Sequence, residues 1–365
     1  MTIRANDTPA TRRLSEQISM ARADRSVLSI MGQGSKLFYG ERVSGITLPS
    51  AELTGISNYE PSELVVTAKA GTTLCELEQT LRESGQALAF DPPQFGGGGT
   101  VGGMVAAGLS GPARPSVGAV RDFVLGLTML NGLGELLSFG GQVMKNVAGY
   151  DIPRLMTGSM GTLGFICEVS LKVAPLPADS VTLVSDCDEA EALRRFSLWR
   201  GQSLPVNAGV WVDGTLHLRL SGAAAAVRAA RLQLGGTSVS ADGSSAWWRS
   251  IRDHRHWFFA DSTRSGQTPI WRISCDPAAG PFNLPGAQLI DWCGAQRWLR
   301  TDAPAVVVRE AAALAGGHAT LFYAPPDGPA IFTPLAAPLA RITERLQRSF
   351  DPSGVFATGR LYRNL

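Results

Sequence analysis

No two cysteines in this sequence are close enough to form a CxxC pair. The five, Cys75, Cys167, Cys187, Cys275 and Cys293, are scattered through 365 residues. Zinc and iron–sulfur sites need clustered thiolates, so neither is expected in this chain. A disulfide framework is not expected either, in a chain this long without a secretory signal. Met1 to Gln17 is polar and mildly basic and lacks the apolar stretch of a signal peptide. No run of about 18 apolar residues occurs, so no segment reads as a bilayer span. Charge is also sparse. Charged residues make up 18%, and 33 Lys and Arg face 31 Asp and Glu, for a net +2. Such a balance gives no electrostatic reason to expect a nucleic-acid partner. The expectation is a reducing, cytoplasmic compartment, with membrane contact only through a partner.

What the sequence has in quantity is apolar residues, at 44%, and glycine, at 41 residues. The first is ample for a large core. The second concentrates between Gly32 and Gly164, where the backbone must bend or approach a ligand closely. Val173-Ala174-Pro175-Leu176-Pro177 reads as a boundary, giving parts at 1–177, 178–334 and 335–365. In the first part, Leu14, Ile18 and Ala21 at helical spacing predict a helix, and Val27–Met31 and Leu64–Ala68 read as strands. Thr73 precedes a helix carrying Leu74, Leu77 and Leu81, with Glu76 placed for a capping box and Gly85 as its stop. Phe123–Asn131, Leu136–Phe139 and Phe165–Val173 complete the strands, so α/β character is expected. The second part reads as α+β. It has strands at Val181–Val184, Leu216–Leu220, Val306–Val308 and Thr320–Tyr323, and a helix at Ala223–Leu234. A last helix carries Leu335, Leu339, Ile342, Leu346 and Phe350 on one stripe.

Four segments carry chemistry. Gly32-Gln33-Gly34-Ser35-Lys36 follows a strand directly. Its two glycines let backbone N–H groups turn towards an anion, a nest suited to a pyrophosphate, and a plain surface turn is the alternative. Leu37 sits where a G-x-G-x-x-G fingerprint would have its third glycine, so this is not that motif. The second segment runs from Pro92-Pro93 through Gly96 to Gly99 and on to Thr100, Gly102 and Gly103. It reads either as a linker or as backbone laid against a flat ligand. Val101, Met104, Val105 and Leu109 are interleaved there, which favours the ligand. The third is Gly118-Ala119-Val120-Arg121-Asp122. The fourth runs from Lys145 through Tyr150 and Asp151 to Gly158-Ser159-Met160-Gly161-Thr162-Leu163-Gly164.

In order and spacing these segments resemble the flavin-binding domain of the vanillyl-alcohol oxidase (PCMH) type. Within it, they resemble the FAD-binding E subunits of bacterial glycolate oxidases. The resemblance covers Val27 to about Pro177 and returns at Phe350-Asp351-Pro352-Ser353-Gly354-Val355-Phe356. It implies a fold of two α/β subdomains (1–177), a smaller α+β cap (178–334), and a C-terminal helix and tail (335–365) that return to the flavin domain. It implies that Gly32, Gln33, Gly34, Ser35, Lys36 and Leu37 wrap the FAD pyrophosphate. Pro93, Thr100, Gly102 and Gly103 pass beside the cofactor, Ser110, Gly111, Gly118, Arg121 and Asp122 continue that wall, and Gly164 and Ile166 hold the other side.

Three departures matter. Ser35 stands where covalent members place a His, so FAD is expected to be dissociable, with Cys75 and Cys167 read as core residues. Met160 replaces the acid of Ser-Glu-Gly-Thr-Leu-Gly, and Ala357-Thr358-Gly359-Arg360 replaces Asn-Pro-Gly-Arg. The histidine-rich metal motif with a Gly-Asp-Gly core, carried by relatives resembling the partner D subunit, does not occur. The histidines are His217, His254, His256 and His318. The pair His254 and His256 reads as a packed or surface pair or as a catalytic base, and Lys145 and Tyr150 are the residues expected nearest the flavin. The implied reaction is oxidation of glycolate, a small 2-hydroxy acid, to glyoxylate. Electrons would leave through an iron–sulfur subunit to quinone, beside a sister FAD-binding catalytic subunit. A stand-alone flavin oxidoreductase and a structural subunit with a decayed site are the alternatives.

Overall fold

The computed structural model of the chain describes residues 8–96, 98–141, 149–260, 268–325 and 328–363. The chain divides into two compact units. One comprises Met1–Leu109, Ala119–Pro175 and Pro334–Leu365. The other comprises Ser110–Gly118 and Leu176–Thr333.

The first unit opens with the helix Pro9–Asp24, where Thr8 Oγ1 accepts from Thr11 N and caps the first turn. Leu14, Ile18 and Ala21 are its buried apolar side chains, as their spacing predicts. β1 (Leu28–Met31) pairs in parallel with β2 (Ile46–Pro49) along one edge. Along the other edge Leu28 N donates to Val355 O at 2.7 Å, and Leu28 O accepts from Ala357 N at 3.0 Å. The C-terminal tail thus lies beside β1 as an extra strand. Asp351 fixes the turn into it, its carboxylate accepting from Val355 N and Phe356 N. Leu14, Ile18, Leu28, Leu48, Phe165, Val355 and Phe356 share one core, so helix, strands and tail stand or fall together.

A five-stranded antiparallel sheet forms the rest of this unit. Its strands are β3 (Ile56–Glu60), β4 (Val65–Lys69), β6 (Val124–Leu130), β7 (Leu136–Gly140) and β8 (Phe165–Lys172), with β5 (Gln86–Ala87) pairing β9 (Ala174–Pro175) apart from it. The order is β3-β4-β8-β6-β7. Central β8 is buried on both faces, which its apolar Phe165-Ile166-Cys167 and Val169 allow, while Glu168 stays half-buried. The helix Leu74–Glu83 buries Leu74, Leu77 and Leu81 completely. Thr73 caps it by accepting from Glu76 N, the expected half of a capping box. Cys167 is core, but Cys75 is exposed on that helix, contrary to the reading of both as core residues.

The second unit is built on an eight-stranded antiparallel sheet. Its strands are β10 (Asp179–Asp186), β11 (Val206–Val212), β12 (Thr215–Gly222), β13 (Thr237–Ser238), β14 (Ile270–Ser274), β15 (Ala287–Asp291), β16 (Gln296–Arg300) and β17 (His318–Tyr323), in the order β13-β10-β12-β11-β15-β16-β14-β17. The helices Glu189–Arg200 and Ala224–Leu234 close one core over it, and Ala305–Leu314 closes another. Val306-Val307-Val308 lies in this last helix, not in a strand. The valines are followed by helix-forming Arg, Glu and three alanines, and only Val308 and Ala312 face inward.

Asp291 ends β15 in full burial. It accepts from Trp292 N at 2.7 Å and from Gln296 Nε2 at 3.1 Å. Burial nevertheless raises its carboxyl to about 7. The folded chain therefore keeps a proton that the unfolded chain loses near pH 4. The resulting stabilisation is full below that pH and is lost as pH rises through 7. The Asp291→Asn variant is expected to gain stability relative to the parent between pH 5 and 8, by up to roughly 4 kcal/mol. Thermal melts of both proteins across that range check this, and a pH-independent difference would rule it out.

Candidate functional site

A cleft with about 950 Å³ of free space, the open solvent at its mouth included, lies in the first unit. Its floor starts at Ser29, Ile30 and Met31 of β1 and continues into Gly32, Gln33, Gly34, Ser35, Lys36 and Leu37. Gly34 has φ +75°, which turns the loop back on itself. Leu37 N closes that turn by donating to Gly34 O at 3.1 Å. The N–H groups of Gln33, Gly34 and Ser35 have no hydrogen-bond partner among the described residues.

Thr100, Gly102 and Gly103 form the opposite wall with Ala70, Ala106 and Ala107. Thr100 Oγ1 accepts from Gly103 N at 3.2 Å and starts the helix Val101–Ala107. A Cβ on Gly32 would lie 2.6 Å from Thr100 Oγ1, and one on Gly102 would lie 2.7 Å from Ala70 Cβ. The walls come together only because both positions lack side chains. Gly161, Gly164 and Ile166 line the far side with Met160, whose φ of +52° is rare for a side chain of that size. A Cβ on Gly164 would press on Leu130 O at 2.8 Å.

Two residues in the lining carry charge, Lys36 and Arg360, and both are cations; the described lining has no carboxylate and no imidazole. Lys36 Nζ lies 3.4 Å from Ser35 Oγ and 5.8 Å from the centre of the Phe95 ring. Arg360 comes from the tail. One of its terminal nitrogens donates to Lys36 O and Leu37 O at 3.1 Å and to Tyr39 O at 2.7 Å. Its own carbonyl accepts from Glu41 N, and Arg363 pairs with Glu41. Burial lowers the pKa of Arg360, but a guanidinium stays protonated.

Of the residues expected at the cofactor, those from Gly32 to Leu37, with Thr100, Gly102, Gly103, Gly164 and Ile166, meet in this one cleft. Others lie elsewhere. Pro93 is buried outside the lining, and Arg121 and Asp122 are exposed, with Asp122 accepting from Ala119 N. Ser110, Gly111 and Gly118 belong to the second unit. There Trp292 Nε1 donates to Gly111 O at 3.0 Å, Arg114 stacks on the Trp292 ring at 4.2 Å, and Ser116 Oγ donates to Asn207 O.

Tyr150 is 91% exposed and does not line the cleft. Lys145 lies outside the described residues. Neither His254 nor His256 is in the lining. The His254 ring stacks on Phe259 at 4.0 Å, its Nδ1 lies 3.0 Å from Tyr323 Oη, and burial pushes it down to about 3. That is a packed, neutral histidine. Sequence reading missed Ser50, Ala70 and Arg360. The first two each follow the end of a strand, which is the signal that marks them.

Comparison with known proteins agrees with this geometry. A family model described as an FAD binding domain matches residues 10–140, so FAD is the cofactor of this chain. A solved structure of an alkyldihydroxyacetonephosphate synthase shares the fold, with a TM-score of 0.65 at 14% identity, over 94% of this chain and 74% of that one. Glycolate oxidase subunit GlcD of Bacillus subtilis (strain 168) is 29% identical over 163 residues, covering 44% of this chain and 34% of its own length. Glycolate oxidase subunit GlcE of Escherichia coli (strain K12) is 45% identical over 352 residues, covering 96% of this chain and 97% of that protein. With the flavin-domain fold, the glycine-lined cleft and a match along nearly the whole length of both chains, this chain belongs to the GlcE family of glycolate oxidase subunits.

Proposed function

We propose that the chain is the FAD-binding subunit of a multi-subunit oxidase that converts glycolate to glyoxylate. The observation that carries this is the 45% identity along almost the full length of GlcE. The cleft supports it on chemical grounds. A pyrophosphate needs N–H donors and positive charge, and the first loop offers the N–H groups of Gln33, Gly34 and Ser35, which have no partner among the described residues, beside Lys36 and Arg360. Gly102, Gly103, Gly164 and Ile166 leave a flat slot for the ring system. FAD bound there supplies a hydride acceptor that can release electrons one at a time. The chain holds it without a covalent bond, because Ser35 stands at the loop position used for attachment and neither Cys75 nor Cys167 lines the cleft.

The described lining contains no base to take the hydroxyl proton of a 2-hydroxy acid. The substrate-oxidising site therefore belongs to a sister flavoprotein subunit, and this chain's FAD serves electron relay or assembly. Among the described residues no group of three His, Cys, Asp or Glu could hold a metal, so an iron–sulfur subunit carries the electrons onward to quinone. No described helix is long and apolar enough to cross a membrane. We take the complex to work in the cytoplasm, with any membrane contact made through this chain's partner subunits.

The test is anaerobic addition of glycolate to the purified chain and, separately, to the complete complex. The flavin of the isolated chain is expected to stay oxidised, while the complex bleaches. Rapid bleaching of the isolated chain would instead favour a stand-alone oxidoreductase.

A further inference from the structure

The C-terminal tail is held in two different ways along its length. Its inner half belongs to the core. Val355 and Phe356 are 2% and 1% exposed, and Leu28 bonds the backbone on either side of Phe356. The Asp351 carboxylate accepts from the amides of both. The outer half, Thr358 to Arg363, has no buried residue. It lies instead against the turn that follows the first loop. Glu41 N donates to Arg360 O at 2.9 Å, and Arg363 Nε donates to Glu41 Oε2 at 2.7 Å. A Cβ on Gly40 would lie 3.0 Å from Arg360 O and 3.1 Å from Arg360 Nε, so turn and tail touch directly. Glu41 thus grips the tail at two points, by its amide and by its carboxylate. It is buried and does not line the cleft, whereas Arg360 does.

The charge of the outer tail is not balanced. Arg360 donates to three carbonyls, and no carboxylate lies within ion-pair distance of it among the described residues. Carbonyl dipoles solvate a guanidinium but do not cancel its charge, and Lys36 adds a second cation to the same lining. Two cations drawn together without an anion oppose docking of the tail. A pyrophosphate between them would favour it.

We infer that Glu41 and Arg363 are positioning residues for FAD, which act through Arg360 by holding the outer tail against the turn after the first loop. This rests on the reading of Gln33–Ser35 as the pyrophosphate site. Binding and docking are then linked reciprocally. Whatever factor the docked tail adds to the affinity for FAD, FAD adds to the docking of the tail.

The test is titration of FAD into the full-length apoprotein, as wild type, Glu41→Gln, Arg363→Ala and the double variant. Arg13→Ala, which breaks the Arg13–Glu52 pair elsewhere in the same unit, is the control. Glu41→Gln keeps the side chain's size and leaves the backbone bond to Arg360 O in place. The Arg363 side chain is 53% exposed, so its removal spares the core. Each single variant should bind FAD about threefold to tenfold more weakly, and the double variant no more weakly than either, because both remove one interaction. The control should match the wild type, and the melting temperatures of the apoproteins should agree. Hydrogen exchange adds a readout that a fixed, merely structural tail would not move. Removing FAD from the wild type should speed exchange at 358–363 and at the Glu41 amide, while 355–357 stays protected. In the variants the outer tail should exchange faster than in the wild type at equal FAD saturation. Wild-type affinity in both single variants, or outer-tail exchange in the wild type that is the same with and without FAD, would overturn the inference and leave the proposed function standing. A wild-type apoprotein that takes up no FAD would overturn the proposed function, and the inference with it.

Discussion

Gly102→Val is expected to purify nearly free of flavin. A Cβ at this position falls 2.7 Å from Ala70 Cβ and 3.1 Å from Ala70 O, and the Gly102 amide already donates to that carbonyl at 2.8 Å. Neither obstacle is the end of a flexible side chain, so the strand end or the helix must move. Both Ala70 and Gly102 line the cleft, and that movement narrows the slot from inside. Overpacking of this kind costs about 1–3 kcal/mol, and lost contacts to the ligand add to it. Each 1.4 kcal/mol is about tenfold in affinity, so flavin retained per chain should fall at least about tenfold. Gly141→Ala is the control, since a Cβ there meets nothing within 4 Å. Absorbance ratios of the purified proteins decide the matter. A Gly102→Val protein with the parent's flavin content would show that the slot does not run past Gly102.

Arg360→Ala is expected to weaken FAD binding without unfolding the protein. The three carbonyls that its side chain holds belong to Lys36, Leu37 and Tyr39, directly after the Gln33–Ser35 turn that lines the cleft. Without it the loop loses its clamp and the cleft loses one of two positive charges. Hydrogen bonds from a charged donor contribute about 1.5–3 kcal/mol. Affinity should therefore drop by about tenfold to a hundredfold. Arg360→Lys should recover part of this, because an ammonium restores the charge but not the planar reach to several carbonyls. Titration of apoprotein with FAD measures it. Equal affinity in the alanine variant would mean that the tail supports the fold alone.

The first unit was the more legible in sequence, and the reasons are local. Leu14, Ile18 and Ala21, and Leu74, Leu77 and Leu81, mark helices because spacing alone tells which side is buried. Glycines at 102 and 164 stand in the cleft wall where close backbone excludes a Cβ, Gly32 where the Thr100 side chain does, and Gly34 where φ is +75°. Arg360 was not legible as a cleft residue, since its partners lie more than 320 positions away. Gly111 and Gly118, expected beside the cofactor, are not in the described cleft lining and belong to the second unit, which glycine spacing in sequence does not reveal. Val306–Val308 read as a strand because three β-branched residues carry that propensity, and the helix that contains them declares itself only through the alanines that follow. The stripe on the last helix was read correctly as amphipathic, but amphipathicity does not say which neighbour covers it.

The central claim is that the glycine-lined cleft holds FAD without a covalent bond. The most direct measurement is the visible absorption of the purified wild-type chain before and after acid precipitation, with the released cofactor identified by mass. A flavin spectrum that moves wholly into the supernatant as FAD is expected. Flavin that stays with the precipitated protein would contradict it, and so would a folded chain that neither carries FAD nor takes it up.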